Sequence, residues 1–194
     1  MLINDADIPL WEAYKAGDRD AFGELFRRYY PLMYQFGSRI TDNQDLLKDS
    51  IQEIFVELWQ NKSHTVVRSI KSYLFKSLKY KFYRDARRGK HVRTVTEDAG
   101  FELSYESLLI AHEEDEERIS TVIRALDSLS HRQKEIIYLK FYQELSYEEV
   151  SEIMDINYQA ARNLLYQAVK ALKSALIFLF MVVLNSVCVD PSGL

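Results

Sequence analysis

The 194-residue sequence contains a single cysteine, Cys188, which excludes an intrachain disulfide and any metal site built from several thiolates. A reducing cytosol suits such a chain, and nothing at the N-terminus reads as a signal peptide. Breakers are scarce, with six Gly and three Pro, and this favours helices over a turn-rich β fold. Catalytic signatures are lacking too. There is no glycine-rich phosphate loop and no nucleophile elbow. His64, His91, His112 and His131 stand in unrelated contexts without metal-ligand spacing. His112 precedes Glu113 and Glu114, but a solvated acidic linker explains that run better than a metal ligand does. The expectation is a protein with no enzyme activity, no metal, no cofactor and no small-molecule substrate. The longest apolar run, Ala175 to Leu184, falls short of the roughly 20 residues a membrane span needs. Packing of this run onto the protein as an extension of the last helix is the first expectation, a sticky partner surface the second, and membrane contact the third.

What is present is charge in blocks. The net charge of −4 hides them. From Lys62 to Arg93 there are eleven Lys/Arg against one acid, Asp85, whereas Thr94 to Glu117 holds nine acids and no Lys or Arg. Two small helical domains joined by an acidic, flexible linker follow from this layout: 1–93, a linker at 94–117, a second domain at 118–174, and an apolar tail at 175–194. The fold class is all-α.

The basic block holds an unusual helix. At 100° per residue, Lys76, Tyr80, Tyr83 and Arg87 fall within roughly 60° of one another, flanked by Tyr73, Lys79 and Arg84. Ile70, Leu74, Phe75, Leu78 and Phe82 take the other side as a core stripe. Cations among flat rings suit a single nucleic-acid strand, because cations neutralise phosphates and rings stack on unpaired bases. A helix lying on an anionic membrane, or a plain solvated face, is the bland counterpart.

In chain order, Pro9 starts a short helix that ends before Gly17. Asp18 or Asp20 caps a second helix with Phe22, Leu25, Phe26, Tyr29, Leu32, Met33 and Phe36 as apolar positions, and Pro31 predicts a kink or break in it. Thr41 or Asp42 begins a third, running to about Gln60, with Leu47, Ile51, Ile54, Phe55, Leu58 and Trp59 buried. Asp45, Asp49 and Gln52, with Glu53 at the edge, form an acidic face, either merely solvated or a dock for a basic partner. In the second half, Leu126, Leu129, Ile136, Ile137, Leu139 and Phe141 supply core positions. Ser130 with Gln133, and Ser146 with Glu149, fit capping boxes, and Leu145 with Val150 fits a hydrophobic staple. A helix over Tyr147–Met154, a turn at Asp155-Ile156 and a second helix capped by Asn157 make a helix-turn-helix. Ala161, Leu165, Ala168 and Leu172 bury one side of that second helix. Gln159, Arg162, Asn163, Tyr166, Lys170 and Lys173 project from the other, with the donors and acceptors a major-groove reader uses.

Taken together, AFGELFRRYYPLMYQFGSRIT, DNQDLLKDSIQEIFVELWQNK and IKSYLFKSLKYKFYRDARR resemble the promoter-opening domain of bacterial sigma factors. LDSLSHRQKEIIYLKFYQELSYEEVSEIMDINYQAARNLLYQAVKAL resembles their second DNA-reading domain. Two such domains and no others resemble the extracytoplasmic-function (ECF) class, over about residues 10–173. The resemblance implies a cytoplasmic, bacterial transcription initiation factor that binds core RNA polymerase, reads −10 and −35 promoter elements and helps melt the −10 region. It assigns Asp45, Asp49, Gln52 and Glu53 to the polymerase. The −10 element falls to Asn61–Arg68, Tyr73, Lys76, Lys79, Tyr80, Tyr83, Arg84 and Arg87, and the −35 element to Gln159, Arg162, Asn163, Tyr166 and Lys170. The acidic linker is expected to pass through the polymerase cleft, and an anti-sigma protein, often membrane-bound, to hide the polymerase-binding face. Three residues depart from the pattern: Tyr73 stands where Trp is common, Asp155 where Gly is, and Gln167 where Arg is. A stand-alone helix-turn-helix regulator and a membrane-associated interaction protein are the competing classes.

Overall fold

The computed structural model describes residues 7–61, 67–87, 101–103 and 123–188. Every regular element among them is helical, so the fold is all-α. Helix α1 (Ile8–Lys15) carries its Pro in the first turn, where a missing N–H is harmless, and the chain leaves it through Gly17 at φ 95°. Helix α2 (Arg19–Gly37) is capped by Asp18, whose carboxylate accepts from the amides of Asp20 and Ala21. The break expected at Pro31 does not occur, and α2 runs through it. Arg27, whose carbonyl loses its helical donor there, and Pro31 itself both lie on the solvent side, where water can replace the lost bond.

Helix α3 (Gln44–Gln60) starts at Gln44, later than the expected beginning at Thr41 or Asp42. Asn43 is its cap, accepting from the Leu46 amide, while the Thr41 hydroxyl accepts from the Asn43 amide at 3.2 Å. Helix α4 (Ile70–Arg87) is the basic aromatic helix, and Ile70, Leu74, Phe75, Leu78 and Phe82 are all buried. The α2–α3–α4 junction closes tightly at Gly37. A β-carbon there would meet the Leu47 Cδ1 at 2.3 Å and the Leu78 Cδ2 at 3.0 Å. The α3 stripe is buried as its periodicity predicts, except that Trp59 is only partly covered. Two buried phenols here are satisfied, Tyr14 donating to the Leu58 carbonyl and Tyr29 to Asp7 at 2.6 Å, whereas the buried Ser50 hydroxyl has no partner among the described residues.

After a helical turn at 123–127 come α5 (His131–Ile137), a π-helical turn (Tyr138–Tyr142), α6 (Tyr147–Met154) and α7 (Tyr158–Cys188). Both capping boxes form with their reciprocal bonds. Of the positions predicted for this core, Leu126, Leu129, Ile136 and Leu139 are buried, Ile137 is half-buried, and Phe141 is 62% exposed. The π turn explains the miss. Its wider i→i+5 step, closed by the Gln143 amide on the Tyr138 carbonyl at 3.0 Å, turns Tyr138 and Leu139 inward and Phe141 outward.

The expected domain boundaries near Arg93 and Glu117 lie outside the described residues. Within the described ones, a single core joins both halves. Phe36 stacks on Phe75 at 4.5 Å and lies 6.3 Å from Tyr138, and Phe101 packs against both Phe36 and Tyr138. Helix α7 continues as helical backbone through Cys188, and Ile177 on it is 56% exposed. Among the described residues no helix is long and apolar enough to cross a membrane.

Candidate nucleic-acid and polymerase interfaces

Three surfaces gather the residues singled out in the sequence. The first is the outward side of α4. Tyr80 is 67% exposed and Lys76 is exposed, whereas Tyr73, Lys79, Tyr83 and Arg84 are half-covered. The Lys79 ammonium sits 6.0 Å from the Tyr83 ring centroid, an arrangement in which cation and ring share one site. Lys79 also meets Glu135 of α5 at 2.5 Å, and Lys76 meets Asp155 of the turn at 3.8 Å. The Nε of Arg84 is buried and has no hydrogen-bond partner among the described residues. Asn61 and Arg68 are exposed and flank residues 62–66, which lie outside the described set, as does the Arg87 side chain.

The second surface is α3. Asp45, Asp49, Gln52 and Glu53 are all exposed on it, and the last three line an open cleft together with Val56 and Glu57. Glu53 holds the ammonium of Lys81, whose side chain is itself buried against α3, so one carboxylate both faces the cleft and ties α4 to α3. Val56 and Glu57 were not singled out in the sequence. Val56, 54% exposed, is an apolar side chain off the buried stripe, and that displacement was the available signal.

The third surface belongs to the helix-turn-helix. Helix α6 ends at Asp155 in the left-handed conformation (φ 54°, ψ 48°), and Asn157 caps α7 by accepting from the Ala160 amide at 2.7 Å. Ala161, Leu165 and Ala168 are buried, and Leu172 is half-buried. On the opposite side Gln159, Arg162, Asn163, Tyr166 and Lys170 are all exposed, with the Gln159 amide donating to Asn163 at 3.1 Å. The structure thus brings these five onto one face, alternating donors, acceptors and a ring. Among the described residues no group of His, Cys, Asp and Glu is placed to hold a metal ion.

Comparison with known proteins places this two-part architecture. The family model Sigma-70 region 2 matches residues 25–92, and Sigma-70, region 4 matches residues 120–172. RNA polymerase sigma factor SigV of Bacillus subtilis (strain 168) is 29% identical over 147 residues, covering 75% of this chain and 82% of that protein. ECF RNA polymerase sigma factor SigM of the same organism is 24% identical over 152 residues, covering 78% and 92%. In fold, the chain resembles CnrH in its complex with the cytosolic domain of CnrY, with a TM-score of 0.59, 22% identity, and coverage of 89% of this chain and 97% of CnrH. The chain belongs to the sigma-70 family of RNA polymerase sigma factors, in its extracytoplasmic-function class. It is a transcription initiation factor that directs RNA polymerase to promoters.

Proposed function

We propose that the three surfaces divide the work of initiation. Helix α3 docks on core polymerase through Asp45, Asp49, Gln52 and Glu53, with Val56 as the apolar centre of the contact. An acidic rim around an apolar residue suits a basic partner surface, since the charges steer the encounter and the desolvated centre supplies grip. Helix α7 enters the major groove at the −35 element. Arg162 matches guanine, Gln159 and Asn163 match adenine, and Tyr166 and Lys170 lie where the backbone passes. Helix α4 and the segment from Asn61 to Arg68 take the non-template strand of the −10 element, with Lys76, Lys79, Arg84 and Arg87 on phosphates and Tyr73, Tyr80 and Tyr83 against bases. No covalent step is required of the protein: it binds, positions and holds strands apart in the cytoplasm.

The observation that carries this reading is the five-residue polar face of α7, fully outward behind a buried Ala161–Leu165–Ala168 seam. A stand-alone regulator would share that face but has no use for the rings of α4. The test is reconstitution with core polymerase. Wild type is expected to bind duplex DNA negligibly alone and to initiate from specific promoters with core enzyme. Arg162→Ala should lose about 1–3 kcal/mol of discrimination at one base pair of the upstream element, roughly five- to 150-fold in promoter selection. Tight specific duplex binding without polymerase would reject the division.

An anti-sigma protein with a cytosolic domain is the proposed regulatory partner. The similarity to CnrH, held by the cytosolic domain of CnrY, supports it.

A further inference from the structure

Along α3, Asp45, Asp49, Glu53 and Glu57 follow at four-residue intervals, so each carboxylate lies about one helical turn beyond the last. Asp49, Glu53 and Glu57 line the cleft together with Gln52 and Val56. Like charges at this spacing repel, which drives the long side chains of such a row toward separate rotamers. Glu53 is held instead. The Lys81 ammonium donates to its carboxylate, reaching it from the seam between α4 and α3. The Lys81 side chain is 7% exposed and that of Glu53 is 62% exposed, so the cation comes from the buried side of the pair. Leu78 and Phe82, beside Lys81 on α4, have no exposure at all.

A lysine so placed does little for stability. Its charge leaves water to get there, and exchanging a buried ion pair for well-packed apolar atoms is often neutral or stabilising. The solvent around Glu53 weakens the attraction further. Packing of the seam would be served as well by methionine. What only a cation provides is a fixed positive charge behind an acidic cleft. A carboxylate accepts from more than one donor, so Glu53 can serve Lys81 and a cation of the partner together.

We infer that Lys81 is a positioning residue for polymerase docking: its ammonium fixes the Glu53 carboxylate between Asp49 and Glu57, so that a basic side chain of polymerase meets it already in place. The inference rests on the reading of α3 as the polymerase dock and gives a buried residue of α4 a part in that contact. Net charge alone argues the opposite way. A cation beside an acidic dock repels a basic partner, so removal of a lysine that merely sat there would tighten docking.

The test measures binding of the full chain to immobilised core polymerase by surface plasmon resonance, with association and dissociation read separately. Lys81→Met removes the ammonium and keeps the apolar stem. Dissociation should quicken about ten-fold, association should not slow, and the melting temperature should stay at or above the wild-type value. Glu53→Asp keeps the charge at an exposed position but draws the carboxylate back by one methylene, and it too should quicken dissociation. Lys81→Met placed in a Glu53→Gln background should add nothing to the loss that Glu53→Gln causes alone. Lys81→Arg should preserve most of the wild-type lifetime. Unchanged or tighter binding by Lys81→Met or Glu53→Asp overturns the inference, as do losses that add in the double variant. A melting temperature that falls in step with the binding loss would mark a plain structural tie and overturn it as well. Failure of the α3 reading is told apart by Asp49→Asn with Val56→Ala, which would then bind polymerase as wild type does, whereas failure of the Lys81 inference alone leaves that variant weakened.

Discussion

Single residues settle how much of the turn and the core depends on unusual chemistry. Asp155 adopts a left-handed backbone that an L-residue with a β-carbon enters at a cost of about 1–2 kcal/mol. Its ion pair with Lys76 is long and solvent-exposed, so it offsets little of this. Asp155→Gly should raise the melting temperature by roughly 2–4 °C, read by differential scanning calorimetry, and Asp155→Val should lower it. The sequence allowed this position to be read as a turn because capping signals bracket it on both sides. Titration offers a second handle. Burial pushes the Tyr14 and Tyr138 phenols up to about 12, and Tyr29 is raised as well by burial and by its bond to Asp7. Phenols raised in the folded state add stability that is complete below the unfolded value of about 10 and is lost as pH climbs through the folded value. The melting temperature should therefore be unaffected by these groups up to about pH 10 and fall between about pH 10 and 12. Full tyrosinate absorbance at pH 10 with helicity intact would show that these hydroxyls are not protected.

At the scale of elements, the sequence reveals what is local and hides what is not. Helix α6 falls on the residues predicted for it because Ser146, Glu149 and Asp155 fix both ends through bonds made within a few positions. Ser146→Ala should cost about 0.5–2 kcal/mol in chemical denaturation, because the orphan amide of Glu149 loses its acceptor. A neutral result would mean water replaces the cap. Helix α3 begins at Gln44 rather than at Thr41 or Asp42 because Asn43 caps it, with the Thr41 hydroxyl accepting from the Asn43 amide, a local pairing that the spacing of apolar residues does not reveal. Phe141 lies outside the core because hydropathy at 100° per residue cannot anticipate a π turn. Pro31 shows the limit of a local rule in the other direction: its effect depends on whether the deprived carbonyl faces water. The acidic face of α3 was visible as spacing, but Val56 at its centre and the tie from Glu53 to Lys81 depend on the neighbouring helix.

Across the whole molecule, polar groups of α4 meet carboxylates of the second half of the chain. Lys79 with Glu135 and Ser72 with Glu152 join residues far apart in the chain, and no periodicity links such partners. Lys79 meets Glu135 of α5 and Lys76 meets Asp155 of the turn, so cations of α4 pair with carboxylates of the second half. The proposed role of α4 is to hold an unpaired strand with its rings and cations. It is tested most directly by placing Tyr80→Ala with Tyr83→Ala, cations kept, into reconstituted holoenzyme, and by following strand separation with permanganate on a promoter recovered from DNA the holoenzyme retains. At about 1–3 kcal/mol per stacked base, the open fraction should fall at least about ten-fold while polymerase binding is unchanged. Strand separation that proceeds at the wild-type level would contradict the claim.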